Sequence, residues 1–380
     1  MVRNGIDCLE KQDALLRGKR LGLITSVSGV NRSLRSTIDL LHEKYRLTAL
    51  FAPEHGVRGN VEAGGIVEDD TDGATGIPVY SLYRKDSKQM REEMLEGIDA
   101  LVYDIQDLGV RYYTFISTMY YAMQACEKTG TEMIVLDRQN PLGGKVEGNL
   151  LKKGWESFVG IWPVCMRYGL TAGELAGMIY GESGWHFPLS AIRAEGWRHD
   201  MLFPETGNLW VMPSMGIPRF ETALVYPGTC LFEGTNLSEG RGTTAPFEMI
   251  GAPYVNGREL SEFMNGQKLP GVLFRPVYFT PSASKHRGEF CQGVFLHVTD
   301  PAEYRSVDTG VTLLFALRRL YPEDFAFLPP VREGGRSGIE LLLGGENCLD
   351  GSVSLEQVLS GFYRDSAEFE KRKKQYHLYG

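Results

Sequence analysis

The chain is poor in the features that would place it quickly. No run of about 18 uninterrupted apolar residues occurs, the length a membrane-spanning helix needs, so no membrane partner is expected. The opening Met1-Val2-Arg3-Asn4-Gly5-Ile6-Asp7 has no apolar core of a secretory signal, and the expected location is the cytoplasm. The 6 cysteines, at positions 8, 126, 165, 230, 291 and 348, are scattered with no Cys-x-x-Cys pair. That argues against a zinc site or a dense disulfide framework and for buried thiols. A formal net charge of −8 disfavours a nucleic-acid partner, which usually meets a basic face. A Gly-x-Ser-x-Gly elbow is missing too, which weighs against an esterase of the α/β-hydrolase kind.

What is present is ordinary in bulk: 380 residues, 43% hydrophobic and 23% charged, enough for two domains. Short apolar runs alternate with amphipathic stretches, the pattern of β-α-β units. Strands are expected at 20–25, 47–52, 79–82, 100–105 and 132–136, and helices at 33–45, 87–96 and 115–129. A further helix is expected from Thr171, with Thr171 as N-cap and Glu174 reaching back to it. The first strand-to-helix loop, Thr25-Ser26-Val27-Ser28-Gly29-Val30, lacks the Gly-x-Gly-x-x-Gly that cradles a dinucleotide pyrophosphate. A doubly wound, mostly parallel sheet without a nucleotide cofactor is therefore expected. Proline and glycine become dense through 212–228, and later strands are expected at 271–274 and 293–298 and a helix at 310–321. This divides the chain into a domain over 1–222 and a smaller α+β domain over 223–380.

In open α/β sheets ligands bind beyond the carboxyl ends of the strands. Polar residues collect there: Pro53-Glu54-His55-Gly56-Val57-Arg58-Gly59 after the second strand, Asp104-Ile105-Gln106-Asp107-Leu108-Gly109-Val110-Arg111 after the fourth, and Asp137-Arg138-Gln139-Asn140-Pro141 after the fifth. Glu54 is singled out by the proline and glycine that fix the turn around it. His55 reads as an orienting neighbour rather than a metal ligand, since no second histidine lies at ligand spacing. Asp104 and Asp107 compete with a plain helix-capping role, and Asp137, Arg138 and Asn140 with that of an ion pair and a turn. A second dense stretch, Glu233-Gly-Thr-Asn-Leu-Ser-Glu-Gly-Arg-Gly-Thr243, suits a loop closing on a polyhydroxylated ligand, with Asn236, Glu239 and Arg241 as its polar groups. Tyr80, Tyr83, Tyr112, Tyr113 and Phe247 offer faces on which a sugar ring stacks. Paired carboxyl groups are what glycoside hydrolysis requires.

Four ordered strings, Phe51-Ala-Pro-Glu-His-Gly-Val-Arg-Gly59, Tyr103-Asp-Ile-Gln-Asp-Leu-Gly-Val-Arg-Tyr-Tyr-Thr114, Leu136-Asp-Arg-Gln-Asn-Pro141 and Glu233 to Thr243, resemble the NamZ/YbbC family of exo-acting β-N-acetylmuramidases. The resemblance runs from Gly5 into the C-terminal region. It implies a Rossmann-like N-terminal domain with the active site, a C-terminal auxiliary domain, and release of N-acetylmuramic acid (MurNAc) from the non-reducing end of fragments such as MurNAc-GlcNAc. It also implies that Glu54 is the catalytic glutamate. On that basis Glu54 is the expected general acid, with Asp104, Asp107, Glu239 or the substrate's own N-acetyl group acting at the anomeric centre. Arg58, Arg111 and Arg241 are candidates for the lactyl carboxylate, and His55, Gln106, Tyr113, Asp137, Arg138, Asn140 and Asn236 for other substrate contacts. Neither a metal nor a cofactor is expected. The rival readings are a hydrolase for another amino sugar or an ester, and a non-catalytic muropeptide-binding protein. Two strings depart from the family pattern: Arg167-Tyr168-Gly169-Leu170-Thr171 stands for Arg-His-Gly-Met-Thr, and Pro213-Ser214-Met215-Gly216-Ile217-Pro218 for Pro-Ser-Pro-Asn-Met-Pro.

Overall fold

A computed structural model describes residues 1–59, 65, 68–345 and 352–380. Its centre is a seven-stranded sheet formed by β1 (Arg20–Thr25), β2 (Arg46–Ala52), β3 (Asp70–Thr71), β4 (Pro78–Ser81), β5 (Ala100–Asp104), β6 (Glu132–Leu136) and a later strand, Leu189–Ile192. The spatial order is β3-β4-β2-β1-β5-β6 and then Leu189–Ile192; every pairing is parallel except that of β3 with β4. The chain runs outward from β1 on one side, returns, and runs outward from β5 on the other. β1 and β5 are neighbours at the point where that direction reverses.

The central strands are apolar along their whole length because both faces are covered. Alternate residues point to opposite sides. Leu101 and Tyr103 of β5 join a core with Met119 and Met123 of helix Phe115–Thr129, whereas Ala100 and Val102 pack with Ile38 and Leu41 of helix Thr37–Lys44. The first of these cores continues without a break into the C-terminal half, through Leu224, Val311 and Phe274.

Between β6 and the edge strand Leu189–Ile192, a short antiparallel pair, β7 (Glu147–Leu150) with β8 (Cys165–Arg167), precedes helix Ala172–Ser183; that edge strand is β9. The helices, in chain order, are α1 (Thr37–Lys44), α2 (Phe115–Thr129), α3 (Ala172–Ser183), α4 (Phe203–Thr206), α5 (Phe220–Thr229), α6 (Gly257–Gly266), α7 (Ser306–Leu320), α8 (Gly338–Leu343) and α9 (Leu355–Lys373). The C-terminal half adds an antiparallel sheet in the order β10 (Met249–Ala252), β12 (Cys291–Val298), β11 (Val272–Phe279). No helix among the described residues is long and apolar enough to cross a membrane. Cys8, Cys126, Cys165, Cys230 and Cys291 are buried free thiols, and Cys348 lies outside the described residues.

Two expected helices need correction. The helix expected over 87–96 is only a short 3-10 turn, Glu92–Leu95, because Arg84 takes the carbonyls of Ser87 and Gln89 at its start (3.2 and 2.9 Å). The helix expected from Ser33 begins at Thr37. Asn31 first draws the amides of Ser33 and Arg35 into a turn (3.0 and 2.9 Å), and Ser36 then caps the helix. The proline- and glycine-rich stretch 212–228 ends in α5, with Pro227 in its last turn. Gly228 is needed there because a Cβ would come within 1.9 Å of the Ser306 carbonyl of α7. The expected division at residue 222 falls inside this helix.

Candidate active site

Glu54 leaves β2 on a rigid turn. The Gly56 amide closes back on the Pro53 carbonyl at 3.0 Å, and both His55 (φ +74°) and Gly56 (φ +77°) are left-handed. A histidine held at positive φ is uncommon and carries backbone strain, which the surrounding packing must hold. His55 is buried, its ring edge-on to Phe115 at 6.4 Å. The half-buried Glu54 carboxylate accepts the Thr114 hydroxyl at 2.7 Å. Tyr83 approaches it from beyond β4; burial, then the Glu54 charge and hydrogen bond, push the Tyr83 phenol up to about 12. The ammonium of Lys88 lies 3.2 Å over the Tyr83 ring.

Glu54, His55, Tyr83, Thr114 and Phe115 line a solvent-open crevice of about 170 Å³. The C-terminal half adds Glu233, Arg241, Tyr226 and Phe247 to the same lining, with Ser214, Gly216 and Ile217 on the connecting loop. Arg241 directs Nε and Nη2 at the same oxygen of Glu233 (3.1 and 2.6 Å) and lies 5.0 Å over the Phe247 ring. Its other terminal nitrogen, Nη1, lies beside Gly216, where even a Cβ would approach it to 3.2 Å. The crevice thus contains two carboxylates, a guanidinium and several aromatic faces, a composition suited to a charged sugar.

Of the residues expected from sequence to form the site, the structure gathers Glu54, His55, Tyr113 and Arg241 here, together with the aromatics Tyr83, Tyr112 and Phe247. Tyr80 packs on Phe51 instead, at 5.9 Å. Asp104 is fully buried and held by Arg138 through both oxygens (2.6 and 2.8 Å), with the Thr37 hydroxyl also donating to it. Asp107 accepts the Gly109 amide at 2.7 Å and the Tyr168 hydroxyl, and burial pushes it up to about 6. Tyr168 is one of the family departures, and its partner is thus a buried acid rather than the crevice. Asp137, also pushed up to about 6 by burial, accepts Thr171, Gly173 and the near-terminal Tyr379 at 2.7, 2.8 and 2.6 Å.

The remaining candidates are likewise engaged outside the crevice. Arg58 pairs with Asp72 through two 2.9 Å bonds. Arg111 is turned inward against the carbonyls of Asn149, Val164 and Leu342 (2.7, 3.1 and 2.9 Å), and burial lowers its pKa to about 10. Glu239 is neutralised by Lys285 at 2.8 Å. Asn140 and Asn236 staple loops, donating to the Leu170 and Asp324 carbonyls at 2.9 and 2.7 Å. Gln106 and Arg138 line a different cavity. Sequence reasoning placed Glu233 in the right stretch without choosing it as a site residue. It also missed Phe158, which faces Tyr83 at 5.7 Å, and Thr114.

The fold and this crevice define an α/β protein with an acidic, aromatic-lined crevice between its two halves. The comparisons give the family. Residues 21–221 match the N-terminal model of exo-β-N-acetylmuramidase NamZ and residues 224–379 its C-terminal model. The peptidoglycan β-N-acetylmuramidase NamZ of Bacillus subtilis (strain 168) is 44% identical, over 100% of this chain and 91% of that protein. Crystal structures of two DUF1343 family proteins from Bacteroides fragilis NCTC 9343 are similar over 100% of this chain and 99% of theirs, at 38% and 28% identity with TM-scores of 0.89 and 0.79. The chain belongs to the NamZ family of exo-β-N-acetylmuramidases and is a glycoside hydrolase.

Proposed function

We propose that this chain releases MurNAc from the non-reducing end of peptidoglycan fragments such as MurNAc-GlcNAc, in the crevice between Glu54 and Arg241. The observation that carries this reading is that Glu54 and the Glu233–Arg241 pair line one aromatic-walled crevice. Glu54 is the general acid that protonates the glycosidic oxygen, steered by Thr114. Glu233 is the second carboxylate facing the same space, in place of Asp104, Asp107 and Glu239. Arg241 receives the lactyl carboxylate, since Arg58 and Arg111 are engaged elsewhere and Nη1 of Arg241 reaches the crevice wall at Gly216. At the level of fold, the order reversal between β1 and β5 supports a Rossmann-like, doubly wound sheet. The junction of the two family models supports a division into a catalytic 1–222 and an auxiliary 223–380.

Incubation with MurNAc-GlcNAc, followed by mass analysis and proton NMR of the first anomer formed, tests substrate and stereochemistry together. Free MurNAc is expected, and binding without release of sugar would reject the enzymatic reading. Arg241→Met should lower kcat/KM on MurNAc glycosides about 10- to 100-fold, the worth of a charge-assisted hydrogen bond. Matching GlcNAc glycosides should change far less, and equal losses on both would remove Arg241 from substrate recognition.

A further inference from the structure

We propose that a series of partly exposed aromatic side chains leading out of the crevice along α2, namely Phe158, Tyr121, Tyr120 and Trp162, binds the glycan chain on the reducing side of the scissile bond. The inference rests on the catalytic reading above. With a non-reducing-end MurNAc in the crevice, no sugar precedes it, so every further sugar of a longer fragment lies on the leaving-group side.

The series starts in the crevice itself. Tyr83 and Phe158 both line it, their rings 5.7 Å apart. From Phe158 the ring contacts continue to Tyr121 at 6.4 Å, only 8° from parallel, from Tyr121 to Tyr120 at 5.7 Å, and from Tyr120 to Trp162 at 5.8 Å. The direction is set by α2. It begins at Phe115, next to the Thr114 that holds Glu54, and Tyr121 lies about 9 Å further along the helix axis.

A surface helix ordinarily turns charged residues to solvent. The first charge in α2 is Glu127, and the positions before it that are not buried are Tyr120, Tyr121 and Gln124. Tyr120, Tyr121 and Trp162 pack against the core while keeping part of their surface in solvent, and Phe158 is likewise partly exposed. A pyranose lays its C–H face on such a ring and leaves its hydroxyls to water. The rings are also held in place before a ligand arrives. Ser117 donates to the Phe158 carbonyl at 2.6 Å, Gln124 to the Tyr120 hydroxyl at 3.0 Å, and the Trp162 indole to Glu182 at 3.1 Å, which Arg372 holds in turn at 2.7 Å. Side chains already fixed lose little freedom on binding. Continuity with the crevice names the occupant: a chain covalently joined to the bound MurNAc passes over these rings, whereas a second protein copy seated on them would cover Phe158, which lines the substrate's own space.

The test measures kcat and KM for 4-nitrophenyl β-MurNAc, MurNAc-GlcNAc and the tetrasaccharide MurNAc-GlcNAc-MurNAc-GlcNAc, using wild type, Tyr121→Leu and Trp162→Leu. Leucine keeps apolar contact with the core and removes the ring. Each substitution is expected to raise the KM for the tetrasaccharide about 3- to 10-fold, the worth of one aromatic stacking contact, with the KM for the aryl glycoside unchanged within about twofold. Equal shifts on all substrates, or none on any, overturn the glycan site. Sedimentation at several protein concentrations reads the rival occupant, and a wild-type dimer that Tyr121→Leu dissolves overturns it too. Wild type that cleaves none of the substrates, yet binds the tetrasaccharide in calorimetry with an affinity that Tyr121→Leu lowers, overturns the catalytic reading alone.

Discussion

Two groups of acids and arginines look alike in sequence, one at the ends of β5 and β6 and the other at the end of β2 and in the glycine-rich stretch after α5, yet they differ in how their lone pairs are used. Around Asp104, Arg138 and Asp137, carboxylate oxygens are taken up by guanidinium, hydroxyl and amide donors of the protein itself, all buried. Around Glu54, Glu233 and Arg241 the side chains are only partly buried and share a solvent-open crevice. Charge at a strand end therefore does not separate a staple from a site; saturation and access do.

The sharpest way to break this contrast is a pair of isosteric changes. Glu54→Gln should lower kcat on MurNAc-GlcNAc by about 10³-fold, within the usual reach of general acid catalysis, while thermal unfolding stays where it is in wild type. Asp104→Asn should do the reverse, because it leaves the Arg138 cation buried against a neutral amide. A loss of about 3–5 kcal/mol in unfolding free energy is expected, with kcat of the remaining folded protein near wild type. An Asp104→Asn protein that is stable but inactive would move the catalytic centre to the middle of the sheet.

Buried acids also leave a signature in pH. Asp107 ionises near 3.8 when exposed but is pushed up to about 6 in the fold, chiefly by desolvation, so the folded state binds more protons between those values. Its contribution to stability therefore falls as pH rises from about 4 to about 6 and is flat above. Relative to wild type, Asp107→Asn should become more stable by up to roughly 3 kcal/mol across that window, measured by urea unfolding at pH 4 and pH 7. The opposite trend of Asp72 and Asp99, whose arginine partners Arg58 and Arg20 hold them down at about 2, is confined to lower pH and does not overlap. A pH-independent offset would show that Asp107 ionises normally in the fold.

Much of the fold was legible because local signals agreed with each other. Apolar runs marked β1 and β6 to the residue, helical spacing marked α2, and the Thr171–Glu174 capping box marked the start of α3. β9 escaped because it is a short edge strand, mostly half-exposed and without a clear alternation. The turn that carries Glu54 into the crevice was legible through its proline and glycine. Which acid of the glycine-rich loop lines the crevice was not, since neither spacing nor composition separates Glu233 from Glu239. That choice is made by Lys285, which reaches from the distant β11–β12 connection to neutralise Glu239. The inward turn of Arg111 is hidden for a related reason: backbone carbonyls direct it, and a sequence shows side-chain acceptors but not where main-chain ones will gather.

Arg58 supplies the smallest test, and one that isolates position from chemistry. It stands four residues after Glu54, as close in sequence to the proposed acid as an arginine comes, yet its guanidinium pairs with Asp72 and is partly exposed. Arg58→Met should therefore cost only about 1 kcal/mol of stability, since Asp72 keeps its Thr75 donors and solvent screens part of the pair. The preference for MurNAc over GlcNAc glycosides should not change. Loss of that preference in Arg58→Met, with Arg241→Met unaffected, would transfer lactyl recognition from the glycine-rich loop to the turn that carries Glu54.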